Sequence, residues 1–128
     1  KGIKDFLMIV DIQKLKQIAE IEFEDIVEDA IITDINQLRI ILKDASFIDI
    51  WYSLKISGRY SYHWERNHID GSIYRHDNAP HKKWQYVVTF PKHFHNGKEE
   101  IVIESNINEI PDGGLREFLL FVRQNLNK

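Results

Sequence analysis

The spacing of apolar residues changes twice along the chain. Ile3, Phe6, Leu7 and Val10, then Leu15, Ile18 and Ala19, recur at intervals of three and four. That is the period of a helix with one buried face, so one helix or two short ones are predicted there. Glu20–Asp34 follows, with seven acids, no basic residue and interspersed Ile and Val. It reads as a strand or an irregular cover. From Leu38 the period becomes two. Leu38–Leu42, Phe47–Leu54, Arg59–Glu65 and Ile73–Asp77 are predicted strands. Asp44-Ala45-Ser46, Ser57-Gly58 and Asp70-Gly71 supply the turns, and such short connections make neighbouring strands antiparallel.

Pro80 and Pro91 bracket a loop that holds Trp84 and a short apolar run. Asn96-Gly97 is a hairpin signal joining His93–His95 to a strand at Ile101–Glu104. Pro111-Asp112 opens a final helix. Asp112 is its expected N-cap, and Leu115, Phe118, Leu119, Val122 and Leu126 form its apolar stripe. The expectation is an α+β fold: a meandering antiparallel sheet with N-terminal and C-terminal helices packed on one face. Residues 1–128 read as one domain. It divides into a helical and acidic segment 1–34, a sheet 36–105 and a helix 111–127.

Composition narrows the class. The chain has 128 residues, 43% of them hydrophobic, with no cysteine. Disulfides and thiolate metal sites are excluded, and a reducing, cytoplasmic setting fits. Lys1–Val10 lacks the apolar run of a signal peptide, and no stretch of about 18 apolar residues could span a membrane. The net charge of −3 argues against a generally basic nucleic-acid binder. Between Ser72 and Lys98, however, five basic residues face one acid. A basic patch on an acidic body steers anions to one place. The acidic Glu20–Asp34 is expected to be solvated surface or, more sharply, a restraint on that basic loop or a mimic of nucleic acid.

All six histidines lie between His63 and His95. Strand alternation puts Ser61, His63 and Glu65 on one face and Tyr60, Tyr62 and Trp64 on the other, where the core is expected. On the next strand Arg75 and Asp77 share a face opposite Tyr74 and His76. Register decides whether His63 lies beside Arg75 or His76, and the sequence leaves that open. Two histidines and an arginine suffice for RNA cleavage without a metal. A base takes the ribose 2′-proton, an acid protonates the leaving oxygen, and a cation sits over the phosphorane. His81 with His93 or His95 are the candidate proton carriers. Arg75 is the candidate phosphate clamp, and Asp77 would orient a histidine. His63, Asn78, Lys92 and Trp84 are candidate substrate-binding residues. Asn78 also reads as a turn residue that satisfies loop backbone, and Trp84 reads first as core and second as a base-stacking platform. No cofactor is required by this chemistry. The alternative is a non-catalytic or interaction module holding Zn²⁺ or another divalent ion on His81, His93 and His95, since His93-Phe94-His95 turns two imidazoles to one side of a strand; His76 in place of His81, and Asp77, are further residues that could complete the site.

Three ordered segments carry a further signal. They are Gly58-Arg59-Tyr60-Ser61-Tyr62-His63-Trp64-Glu65-Arg66, Arg75-His76-Asp77-Asn78-Ala79-Pro80-His81 and Phe90-Pro91-Lys92-His93-Phe94-His95. They resemble the Y-x-Y/F-H-W, R-x-D-N-x-P-H and F-P-x-H-x-H motifs of the TumE-like toxin family of toxin–antitoxin modules. The matching positions are His63, Arg75, Asp77, Asn78, His81, His93 and His95. His76 and Lys92 fall where the motifs vary, and His68 lies outside them. The motifs cover the central half of the chain and leave the part before Asp34 unmatched. The resemblance implies a small cytoplasmic toxin partnered by a helix-turn-helix antitoxin, with RNA as the target by analogy of class. Homodimerisation is a further expectation.

Overall fold

A computed structural model describes residues 9–126. Helix α1 (Ile12–Glu22) leads into seven strands: β1 (Val27–Asp34), β2 (Gln37–Leu42), β3 (Phe47–Tyr52), β4 (Tyr60–Arg66), β5 (Ser72–Asp77), β6 (His93–Gly97) and β7 (Val102–Glu104). A short helix α2 (Asn67–Asp70) sits between β4 and β5, and α3 (Pro111–Asn125) closes the fold. The strands lie side by side in chain order, all antiparallel. The α+β meander expected from the period-two pattern is therefore the observed one.

Alternation places Leu38, Ile40, Ile48, Ile50, Tyr62 and Trp64 on one face. They bury against Leu15, Ile18 and Ala19 of α1 and against Leu115, Phe118, Leu119 and Val122 of α3 in a single core. Helix α3 comes very close to the sheet. A Cβ on Gly114 would lie 2.7 Å from both the Tyr62 hydroxyl and the Asn108 carbonyl, so only glycine lets the helix sit there.

Details of the termini differ from expectation. α1 begins at Ile12 because the Asp11 carboxylate accepts from the Lys14 amide at 3.0 Å. The expected helical residues Ile3, Phe6 and Leu7 lie outside the described residues. At α3 the N-cap is Ile110 and Pro111 takes the first helical position. Asp112 is therefore inside the first turn, where it pairs with Lys14 of α1 at 2.7 Å. The acidic segment does not restrain the basic loop. Glu22 and Asp25 instead hold Arg116 and Arg123 of α3 at 2.8 and 2.7 Å, on the helical side.

Candidate functional site

The other face of the sheet carries its chemistry in registered rows. One row runs Trp51, Ser61, Asp77, His93 across β3 to β6. The next runs Arg39, Asp49, His63, Arg75, His95 across β2 to β6. His63 thus pairs with Arg75, not with His76, which settles the open register. Between β5 and β6 the chain does not turn directly. Residues 78–92 make an excursion of consecutive tight turns, including a 3-10 helix at Lys82–Trp84. It is pinned to the sheet beyond β6, where the Ser105 amide donates to Thr89 Oγ1 at 2.9 Å and the Tyr86 hydroxyl donates to the Val102 carbonyl at 3.3 Å. The Trp84 ring lies 6.1 Å from His93 and 5.5 Å from His95. This cover is why two polar strand residues are only 2% and 3% exposed.

The result is a cleft of about 380 Å³ lined by Arg75, Asp77, His81, Trp84, His93 and His95 together with Lys83 and Glu99. Backbone carbonyls fix the proton positions. Carbonyls only accept, so His93 Nδ1 donates to Pro91 O at 2.8 Å and His95 Nδ1 donates to Glu99 O at 2.7 Å. His93 Nε2 then faces Asp77 Oδ1 at 3.1 Å. A ring that donates from both nitrogens is an imidazolium. Burial opposes that charge, but the Asp77 carboxylate and the Pro91 carbonyl outweigh it and raise the His93 pKa. His95 Nε2 is 3.9 Å from Asp77 Oδ2, beyond hydrogen-bond reach. Burial and the nearby Arg75 charge push His95 below the usual imidazole value, so it is neutral, with its Nε2 lone pair uncommitted among the described residues.

Arg75 is held on three sides. It donates to Asp77 from Nε at 3.2 Å, to His63 Nδ1 at 3.2 Å, and through both terminal nitrogens to the Glu99 carboxylate at 3.0 and 2.5 Å. His63 accepts with Nδ1, so it donates from Nε2 to Glu65 at 2.9 Å. His63 therefore steadies the guanidinium. Asp77 stays ionised despite burial because His93, the Ala79 amide and Arg75 all hold its charged form. Glu99 is held low by Arg75, yet its side chain is 59% exposed. It occupies the guanidinium fork where an anionic group of a ligand would dock.

The remaining expected residues divide. His81 stands at the rim, exposed, its Nδ1 accepting from the Lys83 amide at 3.2 Å, so it is not part of the buried cluster. The three groups whose ligating atoms converge within 4.8 Å are Asp77, His93 and His95. Asp77 is thus the residue that joins the two histidines, while His81 and His76 stand outside the group. Asn78 spends its amide on backbone, accepting from Tyr60 N at 2.9 Å and donating to Gly58 O at 2.7 Å. That is its turn reading. Lys92 points to the helical side, donating to Ile107 O at 2.7 Å. Trp84 is not core: it is half-buried and walls the cleft. His76 stacks on Phe94 at 4.2 Å on the helical face, and burial lowers its pKa to about 4. His68 is tied to the Ala45 carbonyl. The residue that pattern reading missed is Glu99. Its signal was the Asn96-Gly97 hairpin, which folds back over His95 when Asn96 N donates to Ile101 O.

Among the described residues no helix is long and apolar enough to cross a membrane. A family model described as Toxin TumE matches residues 12–126, so the match also takes in the acidic segment that the three motifs left out. No curated protein and no solved structure matches the chain.

Proposed function

The chain belongs to the TumE toxin family, and from that premise we propose that its cleft cuts RNA by metal-free acid–base chemistry. Membership in a toxin family implies an antitoxin as partner. The observation that carries the RNA reading is a pair of adjacent histidines whose surroundings drive their pKa values apart, His95 downward and His93 upward. Such divergence assigns base and acid. His95 Nε2 takes the ribose 2′-hydroxyl proton. The 2′-oxygen attacks phosphorus, and the bond to the 5′-oxygen breaks. His93, held by Asp77, gives that oxygen its proton. Arg75 balances charge on the phosphorane once Glu99 has given up its fork. His81 and Lys83 at the rim receive a flanking phosphate. Incubating total RNA with wild type and His95→Ala tests this. Wild type should cleave, and the variant should lose roughly 100-fold or more. Intact RNA at high wild-type concentration, or equal cleavage by the variant, removes the reading.

A second reading rests on the same rings. Both imidazoles are oriented through Nδ1 by main-chain carbonyls, and both Nε2 atoms converge with a carboxylate. Metal-ligating histidines are oriented in this way. Asp77, His93 and His95 would hold Zn²⁺ or another divalent ion, which would supply a Lewis acid for phosphate. Elemental analysis and calorimetric titration with Zn²⁺ separate the two: cleavage that survives chelation, with no stoichiometric uptake, leaves only the first. The partner's helix-turn-helix form, self-association and action in the cytoplasm belong to the same proposal. Co-purification with the product of the neighbouring reading frame and light scattering test the first two.

A further inference from the structure

Beside the cleft lies a second hollow of about 240 Å³, whose walls include Trp51, Arg59, Ser61, Asp77 and Ala79. Asp77 and Ala79 are shared with the cleft, so the two spaces adjoin. Trp51 lies in the row Trp51, Ser61, Asp77, two strand spacings from Asp77, or ~10 Å. The residue is 36% exposed on the outer face of the sheet. Among the described residues both long helices cover the opposite side, so this tryptophan packs against neither. Arg59 enters no ion pair among the described residues. Ser61 pairs with Trp51 on one side and Asp77 on the other, and its hydroxyl supplies both a donor and an acceptor.

We infer that Trp51, Arg59 and Ser61 form a nucleobase subsite that receives one base of a single-stranded RNA beside the reactive groups. This rests on the RNA reading of the cleft. An exposed indole offers a stacking face to any base. Single-stranded RNA is read on open sheet faces by aromatic side chains, with hydrogen bonds to base edges. Arg59 and Ser61 supply those edge contacts. Trp84 stands on the other side of Asp77 and His93, with the Lys83 ammonium 5.3 Å above its ring. An RNA strand crossing the sheet would therefore meet an indole on each side of the reactive row. Helical RNA keeps its bases stacked and paired, so the subsite selects an unpaired strand.

The test is binding of a short 2′-O-methyl RNA, which lacks the nucleophile, followed by fluorescence anisotropy. Trp51→Ala should weaken binding roughly ten-fold, Trp51→Phe should retain most of it, and Arg59→Ala should show a smaller loss. An oligonucleotide of equal charge carrying abasic sites should bind wild type and Trp51→Ala alike. Equal affinity of wild type and Trp51→Ala for the base-containing strand overturns the subsite. If that happens while wild type still cleaves RNA, the cleft reading stands without it. If wild type neither binds nor cleaves single-stranded RNA, both fall. Urea midpoints of the variants exclude misfolding as the cause of a loss, since Trp51→Phe preserves the ring packing.

Discussion

On the helix-covered face of the sheet, Tyr62, Trp64, Tyr74 and Phe94 pack edge and face against Phe118 and Phe121. On the other face, their immediate chain neighbours His63, Arg75, His93 and His95 meet carboxylates and carbonyls. The same three strands, β4, β5 and β6, build both. The difference lies in what each face does with a histidine. His76, among aromatic rings, is kept neutral. His93, one strand over and facing the other way, is kept charged by Asp77. A strand thus supplies two environments a residue apart, and parity alone decides which one a side chain enters.

The sharpest way to break this contrast is to cut each face separately. Trp64→Ala removes a fully buried ring and should cost about 3–5 kcal/mol of stability in urea unfolding. Cleavage per folded molecule should stay unchanged. His95→Ala should do the reverse, costing about 1 kcal/mol of stability for a lost hydrogen bond while nearly abolishing cleavage. If both variants lose stability and activity together, the faces are not independent.

Acid and alkali should also act through different histidines, acid through His76 and His95 and alkali through His93. His76 has a folded pKa of about 4 against an ordinary 6.5. Between those values the unfolded chain binds a proton that the folded one refuses. Stability should therefore fall as pH drops from 6.5 to 4, by up to about 3 kcal/mol. His93 has a raised pKa, so its contribution is present below 6.5 and fades as pH rises through the raised value. His76→Phe should make the acid limb shallower, leaving the share of His95 and the held carboxylates, and should leave the alkaline limb unchanged. Equal acid limbs in wild type and variant would assign the acid sensitivity elsewhere. Cleavage should follow a bell, rising as His95 loses its proton below 6.5 and declining as His93 loses its own above it.

The smallest effect expected is at Glu99. Glu99→Gln removes the carboxylate that fills the Arg75 fork. RNA affinity should rise by roughly two- to ten-fold at low salt, and the gain should shrink as salt screens it. No change across salt would mean that Glu99 does not compete with the ligand.

Much of this was legible beforehand because period and parity are local. Tyr60, Tyr62 and Trp64 had to bury if Ser61, His63 and Glu65 did not. The same parity turns Lys92 away from His93, so its place on the helical side was readable from the His-x-His spacing. What stayed hidden depends on partners distant in sequence. The pairing of His63 with Arg75 is set by strand register. The role of Trp84 depends on an excursion laid back across β6, and neither its apolar run nor Pro80 and Pro91 fix that path. The acidic segment looked like a free charged tract until Arg116 and Arg123, about a hundred residues on, closed over it.

One consequence follows from the carbonyls of Pro91 and Glu99, which bind the two Nδ1 atoms. Both are main-chain atoms, and no substitution of a side chain deletes them. The Nδ1 proton on each ring is thus a property of the chain's path, while the second proton of His93 rests on the Asp77 carboxylate. Sequence drift at Glu99, Lys83 or Trp84 can retune what the cleft accepts and how tightly, while the two rings keep their tautomers. Substrate preference and proton chemistry are therefore free to change at different rates within one lineage.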